Sequence, residues 1–253
     1  MKREELSFYD ANLVAGSPMT GGWEPLRNKK EILKSLDWYR IEKALVWHIS
    51  QVEYSATEGN KLVSSLVKGE ERLMGCWAVL PPVTGELEDR FFERMRENNI
   101  KALRFFPEQH RFLLRRRVFG SFLDEVAERK IPVILSVKWG LNWSIVYQFL
   151  EDYPQITCVL SDLGIWGTNR LSWPLLAAFP DLYLESSLLS LTAGALEATV
   201  KKFGAQRILW GTGFPERYAE AAIFDLLQAE IEDREKLLIS RRNLELLLAR
   251  VRL

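Results

Sequence analysis

The class of fold is decided by residues 131–164, which read IPVILSVKWGLNWSIVYQFLEDYPQITCVLSDLG. This segment holds two short apolar runs, 132–137 and 157–162, with a longer stretch between them. Apolar runs of this length are typical of strands that are covered on both faces of a parallel sheet. The segment therefore predicts one unit of strand, crossover and parallel strand.

Similar runs recur along the chain at intervals of roughly 25 to 35 residues, with amphipathic stretches between most of them. This alternation predicts a single (β/α)8 TIM barrel in the α/β class, and no linker or change of composition divides residues 1–253 into domains. Helices are predicted at 86–98, 120–129 and 233–251. The predicted strands are 7–14, 43–48, 72–79, 101–106, 132–137, 157–162, 182–186 and 207–212.

The charge balance excludes two classes of partner. Lysine plus arginine equals aspartate plus glutamate at 34 each, so no global field attracts nucleic acid or an anionic membrane. No run approaches the roughly 18 apolar residues of a membrane span, and the first residues lack the apolar core of a signal peptide. We expect a cytoplasmic protein in which Cys76 and Cys158 are reduced core thiols.

Polar residues follow most of the predicted strands. In a TIM barrel, the active site lies at the carboxyl ends of the strands, so these residues are expected to converge there. Arg104, Lys138 and Arg217 would form a cationic rim that could clamp a carboxylate or phosphate. The predicted site residues are Asp10, Asn12, His48, Arg104, Ser136, Lys138, Trp139, Asp162, Trp166 and Glu185.

The sequence resembles the amidohydrolase-related family, in its amidohydrolase 2 branch. The resemblance is carried by PQITCVLSDLG at 154–164, FPDLYLESS at 179–187 and KKFGAQRILWGTGFP at 201–215. Members of that family read His-Leu-Gly, Tyr-Pro-Asn-Val-Tyr-Leu-Asp-Thr-Ser and Phe-Gly-x-x-Arg-Ile-Leu-Phe-Gly-Thr-Asp-Tyr-Pro in the same order. The stretches FYDANLVAG at 8–16 and IPVILSVKWG at 131–140 extend the likeness over nearly the whole chain.

The resemblance implies a metal-dependent hydrolase barrel, but the residues depart from the family at its metal ligands. In the family, histidines of strands one, five and six and an aspartate of strand eight hold a divalent metal and its water. The corresponding positions here are Asn12, Val14, Ser136, Asp162 and Gly213. Valine, glycine and serine do not replace imidazole or carboxylate ligands, so we predict neither the family's zinc nor any other cofactor.

Two interpretations remain for the acidic residues. Asp10, Asp162 and Glu185 could form, together with Asn12, an oxygen-rich site for Mg²⁺, Mn²⁺ or Ca²⁺. Alternatively, Asp162 and Glu185 could pair with Lys138 and Arg104 in a buried charge network, which is the favoured interpretation.

The first functional hypothesis is an enzyme, a hydrolase or lyase, acting on a small anionic or aromatic molecule. In it, His48 and Asp162 transfer protons, because the pKa of histidine lies near neutrality. The second hypothesis is a pseudoenzyme that binds a small molecule without turnover, and the third is a hydrolase with a rearranged carboxylate metal site. A homodimer is a family-level expectation, and neither a nucleic acid nor a membrane partner is predicted.

Overall fold

Eight parallel strands form one sheet in which each strand pairs with the next along the chain. The computed structural model describes residues 6–87, 89–163, 169–188 and 193–253. The strands are β1 (Phe8–Ala15), β2 (Ile41–His48), β3 (Leu73–Ala78), β4 (Ile100–Arg104), β5 (Val133–Ser136), β6 (Cys158–Ser161), β7 (Leu182–Glu185) and β8 (Ile208–Leu209).

Backbone hydrogen bonds between β1 and the residues after β8 close the barrel. Ala11 N donates to Trp210 O at 2.9 Å, and Gly213 N donates to Asn12 O at 2.9 Å. Val14 N continues the seam by donating to Phe214 O at 2.8 Å. Closure leaves no sheet edge exposed and brings the polar ends of β1 and β8 side by side.

Helices cover the outside of the barrel between successive strands. They are α1 (Lys29–Tyr39), α2 (Ser50–Glu53), α3 (Ala56–Val67), α4 (Phe91–Glu97), α5 (Arg116–Phe119), α6 (Ser121–Glu128), α7 (Trp143–Asp152), α8 (Ser172–Ala178), α9 (Ala195–Phe203), α10 (Ala219–Gln228), α11 (Asp233–Leu237) and α12 (Asn243–Ala249). A π-helical segment, Leu238–Arg242, joins the last two. No helix in the described ranges is long and apolar enough to cross a membrane.

The strands bury side chains on both of their faces. One face packs against the helices, as Val46 and Leu103 do, and the other contributes to a smaller cluster that includes Trp47 and Ala102. Strand side chains alternate between faces, so consecutive residues belong to different layers. This alternation decides which strand-end side chains enter the barrel.

The predicted TIM barrel is confirmed, and each predicted strand overlaps an observed one. The predicted helix at 86–98 begins only at Phe91, because the preceding residue, Arg90, has a left-handed backbone angle, φ 58°, which interrupts a right-handed helix. The predicted helix at 233–251 is divided by its π-helical segment.

Candidate functional site

Asn12 is the centre of a buried network at the carboxyl end of the barrel. Its Nδ2 atom lies 3.2 Å from Ser161 Oγ, 3.3 Å from Asp162 Oδ1 and 3.1 Å from Glu185 Oε2. Three acceptors from β6, β7 and the residue after β6 therefore surround one amide nitrogen. The amide joins the two acidic side chains and offers them hydrogens, not oxygen.

Arg104, the last residue of β4, lies on the other side of the Asn12 amide. Its Nη2 donates to Asn12 Oδ1 at 2.9 Å, and Trp47 Nε1 donates to the same oxygen at 3.0 Å. The guanidinium carbon lies 4.7 Å from the centre of the Trp47 ring, within reach of a cation–π interaction. Its Nε and Nη1 atoms are buried without a hydrogen-bond partner in the described part of the chain.

Asp162 is the acidic group that the site holds ionised. Arg217 Nη1 donates to its Oδ1 at 2.9 Å, and Ser136 Oγ donates to its Oδ2 at 2.5 Å. Burial alone would raise the pKa of this carboxyl, but the charges of Arg217 and Arg104 and these hydrogen bonds outweigh burial and lower it. Asp162 therefore contributes a negative charge over the whole neutral pH range.

Glu185, at the end of β7, is more deeply buried, and its pKa is shifted in the opposite direction to that of Asp162. Its Oε2 accepts from Ser161 Oγ at 2.8 Å and from Ser187 Oγ at 2.9 Å. Burial, together with the nearby charge of Asp162, raises the pKa of Glu185. Ser161 Oγ also lies 3.3 Å from Asp162 Oδ2, so one hydroxyl connects two carboxyl groups of different proton affinity.

Asp10 connects β1 to the chain after β8. Its Oδ1 accepts from Asn12 N at 2.9 Å and from Thr212 N at 3.0 Å, and its Oδ2 lies 2.5 Å from Thr212 Oγ1. Burial raises the pKa of Asp10, while these hydrogen bonds oppose the shift. The side chain is fully occupied at the barrel seam, and its role here is to position Asn12.

Aromatic rings form one wall of the site. The Trp47 ring centre lies 6.0 Å from that of Phe106 and 6.4 Å from that of Trp139. Lys138 Nζ lies 4.6 Å from the centre of the Trp139 ring and forms an ion pair with Glu216. Trp47 and Phe106 are buried, whereas Trp139 is half-buried and stands at 78° to Trp47, so Trp139 exposes part of its ring beside the Lys138 cation.

His48 does not join the network, and the predicted proton-transfer pair with Asp162 is not formed. Trp47 faces the barrel interior, so strand alternation directs the next residue to the other face of β2. His48 Nδ1 accepts from Ser50 N at 3.1 Å, and burial lowers the pKa of the imidazole to about 4. At neutral pH the ring is uncharged with its proton on Nε2, which makes it a donor and not a base.

The predicted charge network is formed only in part. Asp162 pairs with Arg217 and not with Lys138. Lys138 lies in the loop after β5 and pairs instead with Glu216 at the rim. Glu185 is held by neutral donors, two serines and an amide. Trp166, which was also predicted for the site, lies outside the described residues.

Sequence reasoning left out residues that the structure places within the network. Ser161 and Ser187 stand beside the predicted acids, and their positions in strand-end segments were the available signal. Thr212 follows β8 and binds Asp10. Arg217 was expected only at a rim, although it lies four residues after Gly213, a spacing that returns a side chain over a tight turn.

The amidohydrolase family model, described as Amidohydrolase, matches residues 49–239. This match covers most of the chain. The chain belongs to the amidohydrolase family. A search of the curated proteins gave no match to this chain.

Solved structures with the same fold are similar over almost the full length of this member of the amidohydrolase family. An uncharacterised TIM-barrel protein from Bordetella bronchiseptica is 17% identical with a TM-score of 0.74, and the alignment covers 97% of this chain and 99% of that one. A probable 2-pyrone-4,6-dicarboxylic acid hydrolase from Acinetobacter baumannii, with citric acid bound, is 16% identical with a TM-score of 0.74, covering 96% and 99%. A dihydroxybenzoic acid decarboxylase from Polaromonas sp. JS666, with manganese and 2-nitroresorcinol bound, is 14% identical with a TM-score of 0.71, covering 96% and 97%.

The metal that membership of the amidohydrolase family implies does not fit the residues of this site. Asn12 turns its NH2 group towards Asp162 and Glu185, whereas a cation requires oxygen ligands. A guanidinium nitrogen of Arg217 already lies against Asp162. Within the ranges that the structure describes, no group of three or more His, Cys, Asp or Glu side chains is placed to hold a metal. The rearranged carboxylate site is therefore not formed by these residues.

Proposed function

We propose that this chain is a hydrolase or lyase that acts on a small, planar carboxylate without a divalent metal. The observation that carries the proposal is the ion pair of Asp162 and Arg217 at the carboxyl ends of β6 and β8. It brings an ionised acid and a permanent cation to the end of the barrel where TIM-barrel enzymes bind their substrates.

The surroundings of this pair favour an anionic and aromatic ligand. Arg104 and Arg217 carry two positive charges, and Asp162 is the one neighbouring carboxyl whose pKa is lowered. Burial raises the pKa of Glu185 and so favours its neutral form, which leaves the two guanidinium groups to attract a ligand carboxylate. The ring of Trp139 beside Trp47 supplies a surface for a flat molecule.

The acid pair supplies a route for a proton. Glu185 has the raised pKa and keeps a proton to higher pH than Asp162, which has the lowered pKa and accepts one only transiently. Pairs of carboxyl groups with opposite shifts are typical of general acid and base roles. In the proposed reaction, Glu185 gives its proton to Ser161 Oγ while Ser161 gives its own proton to Asp162. Asp162 delivers that proton to the substrate, and Glu185 recovers a proton from water before the next turnover.

The names of structural neighbours support this class of substrate. They include a probable hydrolase of 2-pyrone-4,6-dicarboxylic acid and a decarboxylase of dihydroxybenzoic acid. Both names describe an unsaturated ring that carries carboxylate groups. At these identities the likeness concerns the fold, and the substrate of this chain rests on its own charged and aromatic residues.

An activity screen tests the proposal. Purified protein in EDTA is incubated with 2-pyrone-4,6-dicarboxylate and 2,6-dihydroxybenzoate, and ring opening or loss of CO2 is followed by absorbance and chromatography. We expect turnover of a compound in this class, and an Asp162→Asn variant should lose about 100-fold or more of the rate. The surface variant Asp124→Asn is the matched control and should retain the activity.

The variant Glu185→Gln tests whether Glu185 transfers a proton or only shapes the site. It keeps the shape, and its amide oxygen can accept from the Ser161 and Ser187 hydroxyls, but its NH2 group loses the hydrogen bond from Ser187 N and it cannot release a proton. We expect its kcat to fall by about tenfold to 100-fold with little change in KM. A change in KM alone would show that Glu185 only shapes the site.

The second candidate function is ligand binding without turnover. It is favoured by the complete engagement of Asp162 by hydrogen-bond donors, since such a carboxylate is a weak base. Binding of a carboxylate, measured by calorimetry, with no product after prolonged incubation would establish this alternative and exclude the enzyme.

A further inference from the structure

Arg217 is held over the acidic centre by one of its three nitrogens. Nη1 donates to Asp162 Oδ1 at 2.9 Å and to Ser187 Oγ at 3.0 Å. The side chain is 20% exposed, whereas Arg104 is fully buried. Of these two arginines, Arg217 is thus the one that a ligand entering the barrel can reach.

Gly213 provides the space for this guanidinium. A Cβ atom added to Gly213 would collide with Arg217 Nη1, and its backbone φ of 63° is in the left-handed region. Arg217 N also donates to Gly213 O at 3.1 Å, which closes the turn between the two residues. The position of the guanidinium therefore depends on the absence of a side chain at position 213.

The sequence resemblance implies that two of the positions beside this guanidinium correspond to metal ligands of the family. Position 213 stands where the family has its strand-eight aspartate, and Asp162 stands at its strand-six histidine. One has become a glycine that the guanidinium covers, and the other has become the guanidinium's anionic partner. A permanent cation thus lies among residues that elsewhere would hold a divalent one.

The outer edge of this guanidinium remains available. Within the described residues, neither Nε nor Nη2 of Arg217 forms a hydrogen bond, and neither is among the buried unpaired atoms. These two N–H groups point in parallel from one edge of the planar group. That edge has the spacing of the two oxygens of a carboxylate, which it binds in a bidentate manner.

We propose that the Arg217 guanidinium replaces the metal of the amidohydrolase family as the cation of this site, and that its Nε and Nη2 edge binds the ligand's carboxylate. This inference rests on the proposed function and adds to it the anchoring residue and the group on the ligand that it recognises. Arg217 also keeps Asp162 ionised, so anchoring and proton transfer depend on the same ion pair.

Calorimetric titration in EDTA tests the contact. The two probes are 2,6-dihydroxybenzoate and resorcinol, which differ only by the carboxylate. We expect the carboxylate to bind at least about tenfold more tightly to the wild type, and Arg217→Lys, which keeps the charge but loses the bidentate edge, to weaken it about tenfold. Arg234→Lys, an exposed arginine away from the site, is the matched control and should bind like the wild type.

Chemical rescue gives a readout that a structural role would not produce. Arg217→Ala should bind 2,6-dihydroxybenzoate about 100-fold less tightly, and millimolar guanidinium chloride should restore part of the affinity where sodium chloride does not. Manganese in place of guanidinium should not restore it. Circular dichroism at the same guanidinium concentration verifies that the variant is folded.

The outcomes distinguish this inference from the function on which it rests. Equal binding of the two probes, or unchanged affinity in Arg217→Lys, would overturn the contact while leaving turnover intact. Carboxylate binding that disappears in EDTA and returns with manganese would overturn the replacement of the metal. Failure of the wild type to bind 2,6-dihydroxybenzoate, citrate and 2-pyrone-4,6-dicarboxylate would overturn the ligand class, and with it both proposals.

Discussion

At the scale of single residues, the orientation of one amide separates this site from a metal site. We expect Asn12→Asp to place a third carboxylate against Asp162 and Glu185 and to lower the free energy of unfolding by about 3 kcal/mol at pH 7.5. Millimolar MnCl2 should recover part of that loss, because the variant offers oxygens where the wild type offers N–H groups. Urea denaturation with and without manganese measures both effects.

Two comparisons control this experiment. Asn98→Asp, on the surface at the end of α4, should change the stability by less than about 0.5 kcal/mol with no response to manganese. An Asn12→Asp variant as stable as the wild type in EDTA would contradict the central position of Asn12 in the network.

A second residue-scale prediction concerns the pH dependence of stability. The imidazole of His48 has a pKa of 6.5 when unfolded and about 4 when folded, so only the unfolded chain takes up a proton between these values. His48 therefore contributes stability that is complete above pH 6.5 and is lost as the pH falls towards 4. Since solvent reaches part of the ring, we expect this contribution to be roughly 2 kcal/mol.

His48→Gln tests the sign and size of this effect by denaturant unfolding at pH 7 and pH 5. The loss of stability between these pH values should be smaller in the variant than in the wild type. Some loss should remain, because burial also lowers the pKa of His110. An unchanged pH dependence would show that His48 is equally protonated in both states.

These residues show how far sequence reasoning reached into the site. The strand-end rule and family alignment selected Asn12, Asp162 and Glu185, which the structure brings together. His48 was wrongly expected beside Asp162. The end of β2 was predicted correctly, but strand alternation assigns the barrel face to Trp47 and the opposite face to His48. Arg217 was expected only in the cationic rim, because its contact with Asp162 depends on the turn at Gly213, which the spacing of apolar residues does not predict.

At the scale of elements, β8 is the weakest member of the barrel wall. It has only two residues, Ile208–Leu209, and closure depends on the polar seam between Asp10 and Thr212. We expect Thr212→Val to lower the free energy of unfolding by about 2 kcal/mol, because it leaves a buried carboxylate oxygen without its hydroxyl partner. Thr57→Val, at a half-buried position on α3, should lower the free energy of unfolding much less. Equal losses in the two variants would contradict a stabilising role for the hydrogen bond between Thr212 and Asp10.

Elements were the most predictable part of this chain. Each apolar run that predicted a strand is a strand, because a parallel sheet buried on both faces leaves a nearly continuous apolar signature. Their ends were less predictable, since the left-handed backbone of Arg90 delays the start of α4 and a π-helical segment divides the last predicted helix. Such interruptions depend on single backbone angles that apolar spacing does not encode.

At the scale of the whole molecule, stability should not depend on divalent metal. A metal that binds the folded state at 100 times its Kd would add about 2.7 kcal/mol and raise Tm by roughly 5 to 10 °C in a chain of this size. We expect thermal unfolding in EDTA, MnCl2 and ZnCl2 to agree within about 1 °C. A rise of several degrees with either metal, lost in Asp162→Ala, would contradict this expectation.

The balanced net charge has a different consequence for the whole chain. With equal numbers of acidic and basic residues, the molecule offers no long-range attraction, so capture of an anionic ligand depends on the local field inside the barrel. Association rates with a carboxylate should therefore vary little with salt. The homodimer and the cytoplasmic location stay predictions, and light scattering of the purified protein measures the first.

The overlap between position 213 and the Arg217 guanidinium also couples substitutions at these two positions. A side chain at position 213 would meet Arg217 Nη1, so it would force the guanidinium to move from its place beside Asp162. Loss of the arginine would remove the guanidinium that donates to Asp162 and leave the charge of Arg104 to lower the pKa of that carboxyl. Glycine at 213 and arginine at 217 should therefore vary together, and close relatives of this chain should carry both residues or neither of them.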